Sequence, residues 1–244
     1  MTKGKAWIIA IRLRTLPLSL AGIIMGTAVA YYGGFWDPLI FILAIATTIL
    51  FQIVSNLAND LGDGLKGTDN NDRVGPDRMI QAGHLSSTEM KRAVILTSAL
   101  SLISAGFLIR FGVADMPQSM LWFYIILALC CVAAAIMYTV GKKAYGYHGL
   151  GDLMVFFFFG FVSVLGVYSL YSKGFVYENI SLAICVGLLS TAVLNLNNMR
   201  DYTNDAKSGK KTIVVKMGPN IAKIYHATLI VLGLISLGIF ISQV

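Results

Sequence analysis

Seven long apolar runs, separated by short or strongly charged connections, leave this chain few ways to fold. They lie at 15–32, 38–58, 93–112, 119–140, 150–171, 177–197 and 221–241. A helix needs roughly 20 mostly apolar residues to cross the hydrocarbon core of a bilayer, and each run is of that order. None alternates with a period of two, which argues against a transmembrane barrel. Composition agrees: 57% of the 244 residues are hydrophobic and 13% are charged, about half the charge of an ordinary soluble domain. The expected architecture is all-α, a polytopic transmembrane helical bundle of seven spans forming a single domain over residues 1–244. Cys130, Cys131 and Cys185 all fall inside apolar runs with no histidine at ligand spacing. They are expected to pack rather than to bind metal or cross-link.

The net charge is +7, which in a soluble chain would direct attention to nucleic acid. Here the distribution matters more, and no nucleic-acid partner is expected. The N-terminus (Lys3, Lys5, Arg12, Arg14) and the segments 59–92, 141–149 and 198–223 carry 17 of the 19 Lys and Arg residues. An even number of spans separates each basic segment from the next, so all four face one side. The positive-inside rule makes that side cytoplasmic. The reading is an integral protein of the cell (inner) membrane, with N-terminus and polar segments facing the cytoplasm.

Two of the connections are long and mix acids with bases. The first runs Asn56, Asn59, Asp60, Asp63, Lys66, Asp69, then Arg73, Gly75, Pro76 and Arg78; the second runs Asn197, Asn198, Arg200, Asp201, Asp205, Lys207, Gly209, Lys210 and Thr212. Superposed, Asn56, Asp60 and Lys66 match Asn197, Asp201 and Lys207, which suggests an internal repeat. Asn56, Asp60 and Asp63 share one helix face if the second span continues through them, and the spacing puts Asn197, Asp201 and Asp205 on one face as well. Stacked carboxylates repel, and an ionised Asp at the bilayer centre costs roughly 2.5–3.5 kcal/mol. Such a cluster implies a cation, and hard carboxylate and carboxamide oxygens favour Mg²⁺ or Mn²⁺. Four carboxylates would neutralise two such ions. A diphosphate would bring about three further negative charges, which Lys66, Arg73, Arg78, Lys142, Lys207 and Lys210 are available to meet.

These residues resemble the UbiA-like superfamily of intramembrane aromatic prenyltransferases. Within it, the chain is most similar to the branch acting on 1,4-dihydroxy-2-naphthoate in menaquinone synthesis. The motifs are Asn59-Asp60-x-x-Asp63-x-x-Lys66-Gly67-x-Asp69, Arg73-x-Gly75-Pro76-x-Arg78 and Asn197-Asn198-x-Arg200-Asp201-x3-Asp205-x3-Gly209-Lys210-x-Thr212. Arg14-Thr15-Leu16-Pro17, Tyr138-x3-Lys142 and Tyr147-His148-Gly149-Leu150-Gly151-Asp152 support them. The resemblance implies that Asp60, Asp63, Asp69, Asp201 and Asp205 hold Mg²⁺, assisted by Asn56 or Asn59 and Asn197 or Asn198. It implies that Lys66, Arg78 and Lys142 stabilise a departing diphosphate, and that Arg73, Tyr138, Arg200, Lys207 and Lys210 contact substrate. Arg14 is expected to position the acceptor carboxylate or a phosphate, and Asp152 to act as a base or polar contact. The implied partners are a polyprenyl diphosphate, an aromatic acid and the lipid bilayer; donor ionisation gives an allylic cation, which the ring attacks with loss of its carboxyl group. The same family has nine transmembrane helices, so the domain is expected to lack the last two.

Two other functions fit parts of the pattern. A different aromatic acceptor, such as 4-hydroxybenzoate, would use the same motifs. An ion-coupled transporter would also contain repeats and intramembrane Asp and Asn, but its acids would gather at the midplane rather than at one face beside Lys and Arg.

Overall fold

A computed structural model describes residues 1–68, 75–174 and 176–243. Among these residues the chain is helical without strands, and seven helical spans are long and apolar enough to cross a membrane.

The first span is broken where a continuous helix was not demanded by the sequence. α1 (Lys3–Ile11) stops at Arg12, whose φ of 55° is the left-handed turn that ends a helix, and α2 (Leu16–Tyr32) restarts with Pro17 in its first turn. Proline is tolerated there because its missing N–H would have no helical partner. α1 lies ahead of the expected 15–32 run, and its buried Ala6 and Ala10 join a core with Leu57, Ala58, Leu61, Met79 and Met90.

α3 (Pro38–Leu65) is capped by Asp37, which accepts from the N–H groups of Leu39 and Ile40. It does not end near 58 with the apolar run. Its 28 residues extend about 42 Å, longer than the roughly 30 Å hydrocarbon core. The last turns, which carry Asp60 and Asp63, are therefore lifted toward the membrane surface on the same helix as the span.

α4 (Ser87–Gly112) opens on a capping box between Ser86 and Glu89, and α5 (Gln118–Met137) returns across the bundle. The fifth span joins α6 (Gly151–Val155) and α7 (Val167–Ser172) through a π-helical stretch, Phe156–Gly166. The sequence predicts an ordinary helix there, since hydropathy does not distinguish i→i+5 from i→i+4 bonding. Against this wider stretch packs α8 (Asn179–Arg200), backbone to backbone: a Cβ on Gly187 would come within 2.7 Å of the Phe156 carbonyl oxygen. Small residues permit that approach. α9 (Tyr202–Lys207), α10 (Ile213–Met217) and α11 (Pro219–Gln243) complete the chain. Ile42, Ile103, Trp122, Ile126 and Leu234 are exposed on the outer faces, as lipid contact requires. Cys130 also faces outward, Cys185 is buried, and none of the three cysteines forms a disulfide.

Candidate active site

A polar cavity of about 660 Å³ opens where the ends of α3 and α8 meet the α1–α2 turn. Beneath it an apolar chamber of about 360 Å³ runs between α2, α3, α4, α5 and the fifth span. Arg12, Thr15, Leu18, Asn59, Tyr138, Val193, Leu194 and Asn197 line both, so charged groups stand directly above a hydrocarbon-lined space. Phe158, Phe159 and Cys131 belong to the chamber wall.

The first acidic set is held by α3 as the spacing predicts. Asp60 is buried; its Oδ2 accepts the Met79 backbone N–H at 3.1 Å, while Oδ1 has no hydrogen-bond partner among the described residues. Asp63 is also buried: Oδ1 accepts from the Tyr147 hydroxyl at 2.8 Å, and Oδ2 lies 3.6 Å from Lys210 Nζ. Lys66 Nζ donates to the Thr139 carbonyl at 2.6 Å and sits 3.8 Å from the Tyr147 ring centre. Burial lowers the Lys66 pKa, Asp63 opposes that shift, and Lys210 adds to it.

The second set departs from the one-helix expectation. α8 ends at Arg200, Asp201 adopts φ −93° and ψ 6°, and α9 begins beyond it. The i→i+4 bonds nevertheless continue across the junction, from Asp201 N to Asn197 O and from Asp205 N to Asp201 O, so Asn197, Asp201 and Asp205 still reach the same cavity. Arg200 grips Asp201 in a bidentate pair at 2.8 and 2.7 Å and also donates to Asn197 Oδ1. Asn198, Arg14, Arg78 and Lys210 complete the predicted residues at this cavity.

Other predicted residues are placed differently. Asn56 borders the apolar chamber, and its carboxamide is held within the protein: it donates to the Ile11 carbonyl at 2.7 Å and the Thr15 hydroxyl at 2.9 Å, and accepts from Gln52. It pins the α1–α2 turn to α3. Asn59 lines both spaces but its Oδ1 accepts from Thr139. Lys66, Lys142 and Lys207 are exposed and line neither space. Asp152 is buried behind the wall, accepting from the Tyr225 hydroxyl at 3.2 Å, and does not border the cavity. Asp69 and Arg73 lie outside the described residues. Among the described residues no three His, Cys, Asp or Glu side chains converge into a ready-made metal centre.

Comparison with known proteins places this geometry in a family. Residues 19–244 match the UbiA prenyltransferase family.

The chain belongs to that family.

As a UbiA-family protein it is a prenyltransferase and an integral membrane enzyme, which removes the transporter alternative. It is 45% identical over 240 residues to 1,4-dihydroxy-2-naphthoate octaprenyltransferase of Escherichia coli (strain K12), an alignment covering 98% of this chain and 77% of that protein. A protein of the same name from Mycobacterium tuberculosis (strain ATCC 25618 / H37Rv) is 34% identical, over 97% of this chain and 78% of its own. In fold it is similar to the solved structure of digeranylgeranylglyceryl phosphate synthase, with a TM-score of 0.62 at 19% identity, covering 97% of this chain and 76% of that one.

Several residues at this candidate site carried no sequence signal strong enough to single them out. Arg12 stands at the junction of both spaces and donates to the Asn56 carbonyl, yet in sequence it is one N-terminal cation among four. Asn204 donates to the Thr68 carbonyl at 2.9 Å and joins the two acidic segments. Tyr147 lies within a recognised motif, but its contact with Asp63 is visible only in three dimensions.

Proposed function

We propose that this enzyme transfers a polyprenyl group from its diphosphate to 1,4-dihydroxy-2-naphthoate, with loss of the carboxylate, at a Mg²⁺-dependent site on the cytoplasmic face of the cell membrane. The observation that supports this best is the sharing of one wall by a cavity bearing both acidic sets and an apolar chamber. A polyprenyl diphosphate has those two parts joined at its reacting carbon. The names of the 45% and 34% identical relatives support the naphthoate as acceptor.

The donor set suits a hard divalent ion. Asp60 Oδ1 is a buried carboxylate oxygen without a partner, and such an atom is costly to leave unpaired. Asp63, Asp201 and Asp205 border the same space. These carboxylates would hold Mg²⁺, which would supply positive charge to offset the charge that develops on the leaving group. Arg200, paired with Asp201, borders the same cavity and would face the diphosphate. Lys210 and Arg78 supply further positive charge from the cavity wall, and such preorganised groups stabilise charge built up in the transition state.

The donor C1–O bond breaks with its electron pair leaving on the diphosphate. The naphthoate ring donates a pair to the allylic carbon, and carbon dioxide departs leaving its bonding pair to the ring. The product is the quinol form of demethylmenaquinone, so no oxidant enters. Because carbon dioxide leaves in place of a proton, the ring needs no general base, consistent with an Asp152 set back from the cavity. Arg12, bordering both spaces, is better placed than the exposed Arg14 to orient the acceptor carboxylate. Incubation of membranes with dihydroxynaphthoate, polyprenyl diphosphate and Mg²⁺ tests the reading. Chelator-sensitive product is expected; prenylation of 4-hydroxybenzoate instead would reassign the acceptor.

A further inference from the structure

Tyr147 borders neither cavity, yet it touches both acidic segments. Its hydroxyl donates to Asp63 Oδ1 at 2.8 Å and accepts a short hydrogen bond from the Thr68 hydroxyl. The direction follows from chemistry: an ionised carboxylate only accepts, so the tyrosine proton goes to Asp63 and the threonine proton to Tyr147. The Tyr147 carbonyl accepts the backbone N–H of Lys211 at 3.1 Å. One residue of the α5–α6 connection thus bonds the end of α3 and the strand of chain that follows α9.

The ring has a second role. Lys66 Nζ lies 3.8 Å and Lys210 Nζ 5.3 Å from its centre, both within cation–π range. Two ammonium groups that repel each other are held against one aromatic ring. Lys210 meanwhile stands 3.6 Å from Asp63 Oδ2, longer than the roughly 2.7–2.9 Å of a closed charge-assisted hydrogen bond. The hydroxyl holds one carboxylate oxygen and the ring holds the ammonium, so the pair is kept close without collapsing.

We propose that Tyr147 is a positioning residue for prenyl transfer: its hydroxyl keeps Asp63 open to a divalent ion, and its ring steadies Lys66 while holding Lys210 at the cavity wall for diphosphate oxygens. The inference rests on the metal-dependent reading above. Without the hydroxyl, Asp63 would turn onto Lys210, and a metal ligand and a diphosphate cation would be lost to each other. Without the ring, both lysines would lose their common support.

The test uses the full chain in lipid nanodiscs, with thermal stabilisation by Mg²⁺ and inorganic pyrophosphate measured beside prenyl-transfer kinetics. Tyr147→Phe is expected to raise the Mg²⁺ concentration for half-maximal stabilisation about 10-fold or more, the usual size for loss of a group that orients a metal ligand. Its KM for the aromatic acid should not change. Tyr147→Leu is expected to add a rise in the pyrophosphate concentration needed and in the donor KM. His148→Ala, an exposed neighbour, should match the wild type in all of these. Variants that merely melt earlier, with unchanged Mg²⁺ and pyrophosphate half-saturation, would overturn the positioning role while leaving the enzymatic reading intact. A wild-type chain that Mg²⁺ and pyrophosphate do not stabilise would overturn both.

Discussion

Lys210 Nζ stands 3.6 Å from Asp63 Oδ2, so a cation of the second acidic segment neutralises a carboxylate of the first. Asp60, one helical turn earlier on α3, accepts the Met79 N–H at Oδ2, and its Oδ1 accepts no hydrogen bond among the described residues. The two carboxylates of one motif are therefore unequal: Asp63 is held at Oδ1 by Tyr147 with Lys210 just short of contact at Oδ2, whereas Asp60 Oδ1 accepts no hydrogen bond among the described residues. The consequences of that inequality can be measured.

Asp60→Asn should leave the fold intact, because an amide oxygen can still accept the Met79 N–H. Prenyl transfer should fall by about 10²–10³-fold, the range seen when one preorganised electrostatic group is removed. Steady-state kinetics at fixed Mg²⁺ will measure the loss, and an unchanged melting temperature will separate it from misfolding.

Gly62→Ala tests the close approach of α3 to the end of α5. The added Cβ would lie 2.6 Å from the Thr139 carbonyl carbon, whose oxygen holds Lys66 Nζ at 2.6 Å. Overpacking of this kind costs about 1–3 kcal/mol. A lower melting temperature together with a higher donor KM is expected.

Asn56→Leu should act on stability first. It leaves the Ile11 carbonyl without its 2.7 Å bond and takes from the Gln52 amide one of its two acceptors, Thr15 remaining, a loss of about 1–3 kcal/mol for a buried polar group left unmet. Denaturant unfolding in detergent will report it. Activity should decline less than in Asp60→Asn, because the carboxamide is not among the proposed metal ligands.

Lys66 sets a pH dependence. Burial, the largest influence, lowers its pKa from the ordinary 10.5, so the folded protein releases this proton at lower pH than the unfolded chain. Between the lowered value and 10.5 the unfolded chain binds more protons. In that window the Lys66 contribution to stability rises with pH, and below it the full penalty of charging a desolvated amine applies. Donor binding changes in the opposite sense, since a neutral amine cannot attract diphosphate. An alkaline rise in donor KM is expected below the ordinary lysine range, and Lys66→Arg, which keeps its charge, should displace it to higher pH.

Much of this protein could be read from local patterns. The seven spans follow from apolar length, and the two acidic segments from residues whose charge has no place in hydrocarbon without a partner. The i, i+4, i+7 spacing of Asn56, Asp60 and Asp63 correctly anticipated a single helix, because α3 continues past its apolar run. The matching of Asn56 with Asn197 was legible too, but not its meaning: Asn56 bonds the α1–α2 turn, whereas Asn197 lines both spaces. Lys142 and Asp152 sit in recognisable motifs, yet one is exposed and the other buried behind the wall.

Hydropathy and charge sign belong to each residue wherever it stands, so the membrane spans and the two acidic segments at their ends were set by the sequence alone. Contact between Tyr147, Asp63 and Lys210 depends on where three separate connections come to rest. That was decided by tertiary packing: the left-handed turn at Arg12, the close seat of Gly62 on Thr139, and the bonds that join Thr68 to Asn204. Angstrom-scale distances between remote side chains arise from such contacts, and no periodicity in the chain encodes them separately.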